Sequence, residues 1–328
     1  MKQLILLFFL LSLQSTVYAQ KSIVEKYGRL SVDGNYIIGE HGDTVQLRGM
    51  SFFWSQWKGE YYNKRVVQWL RDDWKCTVVR AAMGVDESGG YLHNAYEEKE
   101  KVERIVKAAI DQGIYVIIDY HSHHAHENPE EAKRFFAEMA KKYGKYPNVI
   151  YEIYNEPLQV SWTKVLKPYS TEIIEVIRSH DPHNLVICGT RQWSQMVSEA
   201  ALDPVDDHNV AYALHYYAGT HKESLRNIAQ RALDAGIAIF VTEFGICEAS
   251  GDGELDFEEA QKWWDFLDKY KISWANWAVS DKEEAASALV FGAGWRGKWK
   301  EHQITPSGKF VREELLRKNG PIFESLEK

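Results

Sequence analysis

The sequence of 328 residues is poor in several features, and each scarcity excludes something. Only three cysteines occur, Cys76, Cys188 and Cys247, odd in number and widely spaced. That spacing fits neither a disulfide framework nor a zinc ribbon, so the three are expected to be buried thiols. No Lys/Arg-rich block occurs and the formal net charge is −8, which argues against nucleic acid as a partner. No stretch rich in Pro, Ser or Thr and no low-complexity segment interrupts the chain, so neither a linker nor an appended module is expected. No apolar run after the first twenty residues is long enough to suggest a membrane span. The balance of 45% hydrophobic and 26% charged residues excludes disorder and collagen-like structure.

What is present starts with MKQLILLFFLLSLQSTVYAQ. Lys2 supplies a positive end, residues 4–13 an apolar segment, and Val17-Tyr18-Ala19 a small-residue cleavage site before Gln20. The apolar segment is too short to cross a bilayer, and no Cys follows the cut to carry a lipid anchor. Residues 1–19 therefore read as a secretory signal and residues 20–328 as one domain, secreted or periplasmic. The chain also holds 12 Trp and 18 Tyr, which can fill a large core or form exposed platforms for sugars.

Residues 27–47 resemble a small hairpin region, with turn signals at Asp33-Gly34 and His41-Gly42-Asp43. A rhythm follows. Apolar runs at 45–51, 77–82, 114–120, 149–154, 185–188, 210–215, 238–242 and 274–279 predict strands. Helical patterns at 99–112, 130–144, 161–180, 222–235 and 256–270 fall between most of them. Gly113 and Gly236 each follow a helical pattern and precede a strand, where a positive φ can close the helix. Eight strands alternating with helices favour an α/β fold, a (β/α)8 TIM barrel. A doubly wound sheet would favour GxGxxG after its first strand, and RGMSFFWSQW has none.

In such a barrel the chemistry sits at the C-terminal ends of the strands. The second run ends in Arg80 and the third in Asp119 and His121. The fourth ends in Asn155 and Glu156, the sixth in His215 and Tyr217. The seventh ends in Glu243 and the eighth in Trp277. Each alone has an ordinary structural explanation; six strands ending this way together point to a site. Glu156 and Glu243 are the pair that glycoside hydrolysis requires. One carboxyl protonates the leaving oxygen, and the other attacks the anomeric carbon or activates water. The stretch IYEIYNEPLQ shows how such an acid is held. Pro157 has no N–H and ends strand pairing, and it biases Glu156 toward an extended conformation at the rim.

NEP after the fourth run and TEFG after the seventh resemble glycoside hydrolase family five, in particular its bacterial endo-β-1,4-glucanases. The likeness runs from LRGMSFFWSQW to NWAVSDKEEAAS, and KYPNVIYEIYNEPLQVSW and LHYYAGTHKESLR are its most specific blocks. The resemblance implies a retaining mechanism with Glu156 as general acid/base and Glu243 as nucleophile. It implies that Arg80 holds the nucleophile and that Asn155 binds the 2-OH of the reacting sugar. His215 and Tyr217 would orient the two carboxylates, His121 would line the subsite next to the cut, and Trp277 would form the floor of the −1 subsite. Lys282 and Glu284 match positions that bond sugar hydroxyls, and Trp57 and Trp193 match aromatic platforms. A β-glucan substrate, a monomeric state, and neither cofactor nor metal are expected. Two positions depart: Phe53 stands where many relatives carry His, and Gly84 where several carry Tyr.

Two other readings compete. HSHHAHE, residues 121–127, offers four imidazoles, and His is the commonest metal ligand. Ala125 occupies a place where a ligating Asp would be wanted, and the carboxylate pair fits glycosidase chemistry better. A sugar-binding barrel without hydrolysis would lack Glu156 or Glu243, and both are present. Trp69 and Trp74 read as helix packing; Trp263 and Trp264 lie on a helical pattern, and one of the two reads as core. Trp295 and Trp299 lie in the Gly-rich loop FGAGWRGKWK after the last strand, a loop that could rim the cleft.

Overall fold

Residues 21–327 are described by a computed structural model; the signal reading of residues 1–19 lies outside them. Two short strands, β1 (Ser31–Asp33) and β2 (Tyr36–Ile38), pair antiparallel around Gly34, whose φ is +58°. This is the small hairpin expected near the N-terminus.

The barrel is built from β3 (Arg48–Phe52), β4 (Val78–Gly84), β5 (Tyr115–His121), β6 (Val149–Glu152), β7 (Val186–Cys188), β8 (Val210–Tyr217), β9 (Ala238–Gly245) and β10 (Ser273–Val279). All eight are parallel, and β10 closes on β3. Each strand is buried along its whole length. One face of each looks into the barrel and the other lies under helices, so the strands read as near-continuous Val/Ile/Ala runs.

Helices Tyr91–Gln112, Pro129–Tyr143, Lys167–Arg178, Glu223–Asp234 and Phe257–Tyr270 cover the outside. Gly113 closes the first of these at φ +65°, with its N–H bonded to the carbonyls of Ala109 and Ile110. Asp256 starts the last by accepting the amide of Glu259. Two helices differ from the sequence pattern. The first begins at Tyr91 rather than near 99, with a kink at Asn94. The one expected at 161–180 opens with a wide turn over Trp162–Leu166, and Pro168 has no N–H to give back to it. The long helix Pro306–Leu326, with Pro321 inside it, has no counterpart among the helical patterns read from the sequence.

The three cysteines are buried and free. A second, small apolar cluster sits apart from the main core and includes Phe53, Ala82, Tyr217, Cys247 and Trp277. Its members lie at or just beyond the C-terminal ends of the strands, where it floors the cleft. Among the described residues no helix is long and apolar enough to cross a membrane.

Candidate active site

Arg80, near the middle of β4, is wholly buried, so its charge must be matched by partners. Its guanidinium bonds Glu152 at 2.7 and 3.2 Å, Glu243 Oε2 at 3.1 Å and Asn155 Oδ1 at 2.6 Å, and lies 3.0 Å from Asp119 Oδ2. One cation thus gathers side chains from β5, β6, the segment after β6, and β9. With Oδ1 of Asn155 taken, the amide NH2 is its remaining polar group.

Glu243 accepts two bonds, from Arg80 and from the Tyr217 hydroxyl at 2.9 Å. Burial keeps the Tyr217 phenol protonated, so it can donate. Burial and then the charge of Glu156 raise the Glu243 carboxyl above its ordinary range, against the pull of His215 and Arg80. Glu156 Oε1 lies 2.9 Å from His215 Nδ1. Burial alone would raise Glu156, but the His215 bond and charge outweigh it and hold this carboxyl below its usual range. Burial likewise opposes charge on His215, yet the carboxylates of Glu152, Glu156 and Glu243 lift it to about 9.

The hydroxyl of Thr242 fixes where the protons sit. It donates to Glu152 Oε1 at 2.6 Å, so it must accept from His215 Nε2 at 2.8 Å. Nε2 therefore carries a hydrogen, and one further proton lies between Nδ1 and Glu156. At rest it sits on the imidazole; a short shift puts it on the carboxyl.

Two cavities, of about 520 and 260 Å³, share Glu156, Tyr217, Glu243 and Ala249 and so flank the pair. Trp193 lines the larger with Gln192 and His221. Trp57, His121, Trp277, Lys282 and Glu284 line the smaller. Trp57 and Trp193 are 50% and 42% exposed, so their ring surfaces are open to a ligand. Trp277 is buried, stacked on His121 with centroids 5.1 Å apart and packed on Phe53. His121 is bonded to Asp119 at 2.7 Å, and burial, aided by the positive charge of Arg80, keeps it neutral. Lys282 pairs with Glu284 and lies over the Phe53 ring.

The two departures have visible consequences. Phe53 sits between Trp277 and Trp57, adding a ring to the apolar floor. At Gly84 a Cβ would fall 1.8 Å from Gln56 Oε1. The Gln56 side chain occupies the space that a larger residue would need.

The imidazoles of residues 121–127 do not converge. His121 faces Asp119, His124 faces Glu127, and His126 bonds the Tyr154 hydroxyl. Among the described residues, the group able to hold a metal is Glu156, His215 and Glu243, with atoms within 4.8 Å of one another. Both nitrogens of His215 are already engaged there, which disfavours a metal. Sequence reasoning missed Glu152 and Thr242. A charged residue inside the apolar run VIYEIY was the available signal for Glu152; Thr242 gave none.

The family model for cellulase (glycosyl hydrolase family 5) matches residues 38–283. The chain is 49% identical to Endoglucanase A of Evansella cellulosilytica, over 96% of this chain and 66% of that protein. It is 55% identical to Endoglucanase Z of Dickeya dadantii, over 86% of this chain and 65% of that protein. The chain thus spans just under two thirds of the length of these relatives. A solved structure from Cytophaga hutchinsonii superposes with a TM-score of 0.92 at 62% identity, covering 93% of this chain and all of that one.

Proposed function

The chain belongs to the cellulase family, glycosyl hydrolase family 5, and from that premise we propose that residues 20–328 form one catalytic domain that cuts internal β-1,4 bonds of β-glucan with retention of configuration. The observation that carries this reading is the pairing of Glu156 with Glu243, whose nearest oxygens lie within 4.8 Å. Retaining enzymes hold their carboxyls about 5–5.5 Å apart, whereas inverting ones leave about 6.5–9.5 Å for a water. The names of the two endoglucanase relatives support the substrate class.

In the first step Glu243 attacks the anomeric carbon as the glycosidic C–O bond breaks. Glu156 gives the leaving oxygen the proton it shares with His215. In the second step Glu156 takes a proton from water, the water oxygen displaces Glu243, and the enzyme returns to its starting state. Arg80 and Tyr217 keep Glu243 ionised and aimed. Once Glu156 carries the proton, its repulsion of Glu243 disappears, so the working state has one neutral and one charged carboxyl. Asn155 donates to the 2-OH of the reacting sugar. Trp277, His121, Lys282, Glu284 and Trp57 hold the glycone side, and Trp193 the leaving side. Residues 1–19 act as a cleaved export signal, and the enzyme works outside the cytoplasm as a monomer without cofactor.

The test is release of reducing ends from carboxymethyl-cellulose and from mannan, with Glu243→Gln as the blank. Activity on the glucan that vanishes in the variant supports the reading. Activity on mannan alone moves the substrate, and wild-type-like turnover by the variant rejects Glu243 as nucleophile.

A further inference from the structure

Three tryptophans are exposed among the described residues, Trp57, Trp193 and Trp295, and all lie on segments that follow barrel strands. The first two line the cavities beside the carboxylates. Trp295 does not. It shares loop 290–299 with Phe291, which is 71% exposed.

The loop backbone is firmly held. Gly292 donates to Asp281 Oδ2 at 3.1 Å, and Asn63 Nδ2 donates to the Trp295 carbonyl at 2.9 Å. The buried indole of Trp299 donates to the Gly294 carbonyl at 2.8 Å, and Gln303 to that of Ala293 at 2.9 Å. Rigid backbone beneath exposed rings is a pre-organised surface, which loses little entropy when it binds. Arg296 lies over the Trp295 ring, 4.8 Å from its centroid, and so occupies only one of its faces.

The loop is also joined to the cleft. Asp281, which receives Gly292, forms an ion pair at 2.6 Å with Lys58, the residue after Trp57. The residues that follow Trp295, 296–298, line a groove of about 630 Å³ together with Arg65, Gln68, Trp69 and Asp72. Aromatic faces with polar groups beside them suit a neutral, hydroxyl-rich chain, because the axial C–H faces of β-linked sugars are apolar and their edges are polar.

We propose that Phe291 and Trp295 form a distal platform for the glucan chain, continuing the glycone end of the cleft past Trp57. This rests on the β-glucan reading above. The platform binds parts of a long polymer that a tetrasaccharide does not reach, and it takes no part in the chemical step.

The experiment compares wild type with a Phe291→Ala/Trp295→Ala double variant on cellotetraose and on a long soluble β-1,4-glucan. The expected result is a rise of about tenfold in KM for the long glucan, the scale of one lost aromatic contact. Its kcat, the cellotetraose kinetics and Tm stay unchanged, and Trp295→Tyr keeps most of the effect of the native ring. A long-glucan KM within about twofold of wild type, or an equal loss on both substrates, overturns the platform. Retardation of each protein in gels containing hydroxyethylcellulose gives a readout independent of turnover. Equal retardation of wild type and double variant also overturns the platform. A wild type that cleaves neither substrate instead overturns the endoglucanase reading, while the difference in retardation still judges the platform.

Discussion

Glu156 and Glu243 are the same residue type, and their neighbours set them apart. Glu243 is held by a buried arginine and a phenol that cannot ionise, both of which favour its anion. Glu156 faces an imidazole that can give or take a proton at 2.9 Å. This difference predicts an asymmetry between two variants. Glu243→Gln should abolish turnover for every substrate, since no other group can form the covalent bond. Glu156→Gln should cost about 10²–10⁴-fold on polymer, the usual share of general acid catalysis, and far less in glycosylation by aryl glycosides whose leaving groups need no proton. Rates measured along a series of leaving-group pKa values check this. Equal losses across the series would reject the acid role for Glu156.

At the scale of the element, the turn after β7 is unusual. Gln192, Trp193 and Ser194 all have positive φ, at 59°, 54° and 54°. Each such non-glycine residue costs roughly 1–2 kcal/mol. The turn is held in place by the segment that carries Glu156. Gln192 and Trp193 amides donate to the carbonyls of Leu158 and Pro157 at 3.0 and 2.9 Å, and the Ser194 hydroxyl donates to that of Asn155 at 2.7 Å. The arrangement presents Trp193 to the cleft and steadies Asn155 and Glu156 from behind. Ser194→Ala keeps the strain and leaves a buried carbonyl unpaired, so it should lose about 1–3 kcal/mol of stability. Ser194→Gly loses the same bond but relaxes the backbone, so it should be less destabilised by about 1 kcal/mol. Denaturant titration of the two variants decides; equal losses would remove strain from the account.

At the scale of the whole molecule, the buried charges form one network drawn from β4, β5, β6, β8 and β9, and its protons are shared. The proposed mechanism needs Glu243 ionised and one proton on the Glu156–His215 pair. The first condition fails as pH falls through the Glu243 range, which lies above that of an ordinary carboxyl. The second fails as pH rises through about 9, where His215 loses its proton. The profile of kcat/KM should therefore be bell-shaped, with apparent values belonging to the coupled set. His215→Asn should move the alkaline limb to lower pH, because the carboxyl must then keep the proton unaided. The same group acts on stability. Its folded pKa exceeds its unfolded one, so its contribution is complete below about 6.5 and is lost as pH rises through about 9. Melting curves across that window should show Tm falling in wild type and falling less in His215→Asn.

The sequence by itself determined the eight-strand rhythm, the helix stop at Gly113 and the rim positions of Glu156 and Glu243. These depend on local periodicity and on backbone preferences of Gly and Pro. Tertiary structure decided what joins them. Arg80 meets Glu152 across 72 residues and Glu243 across 163, and Thr242 meets Glu152 across 90. Glu152 looked like one charged residue in an apolar run until the barrel closed, and Thr242 looked like an ordinary strand residue. Gln56 filled the space over Gly84 only when the segment after β3 folded across β4. Local pattern specifies which way a strand residue points. Burial then makes charge partners obligatory, and only chain closure in three dimensions selects which residues those partners are.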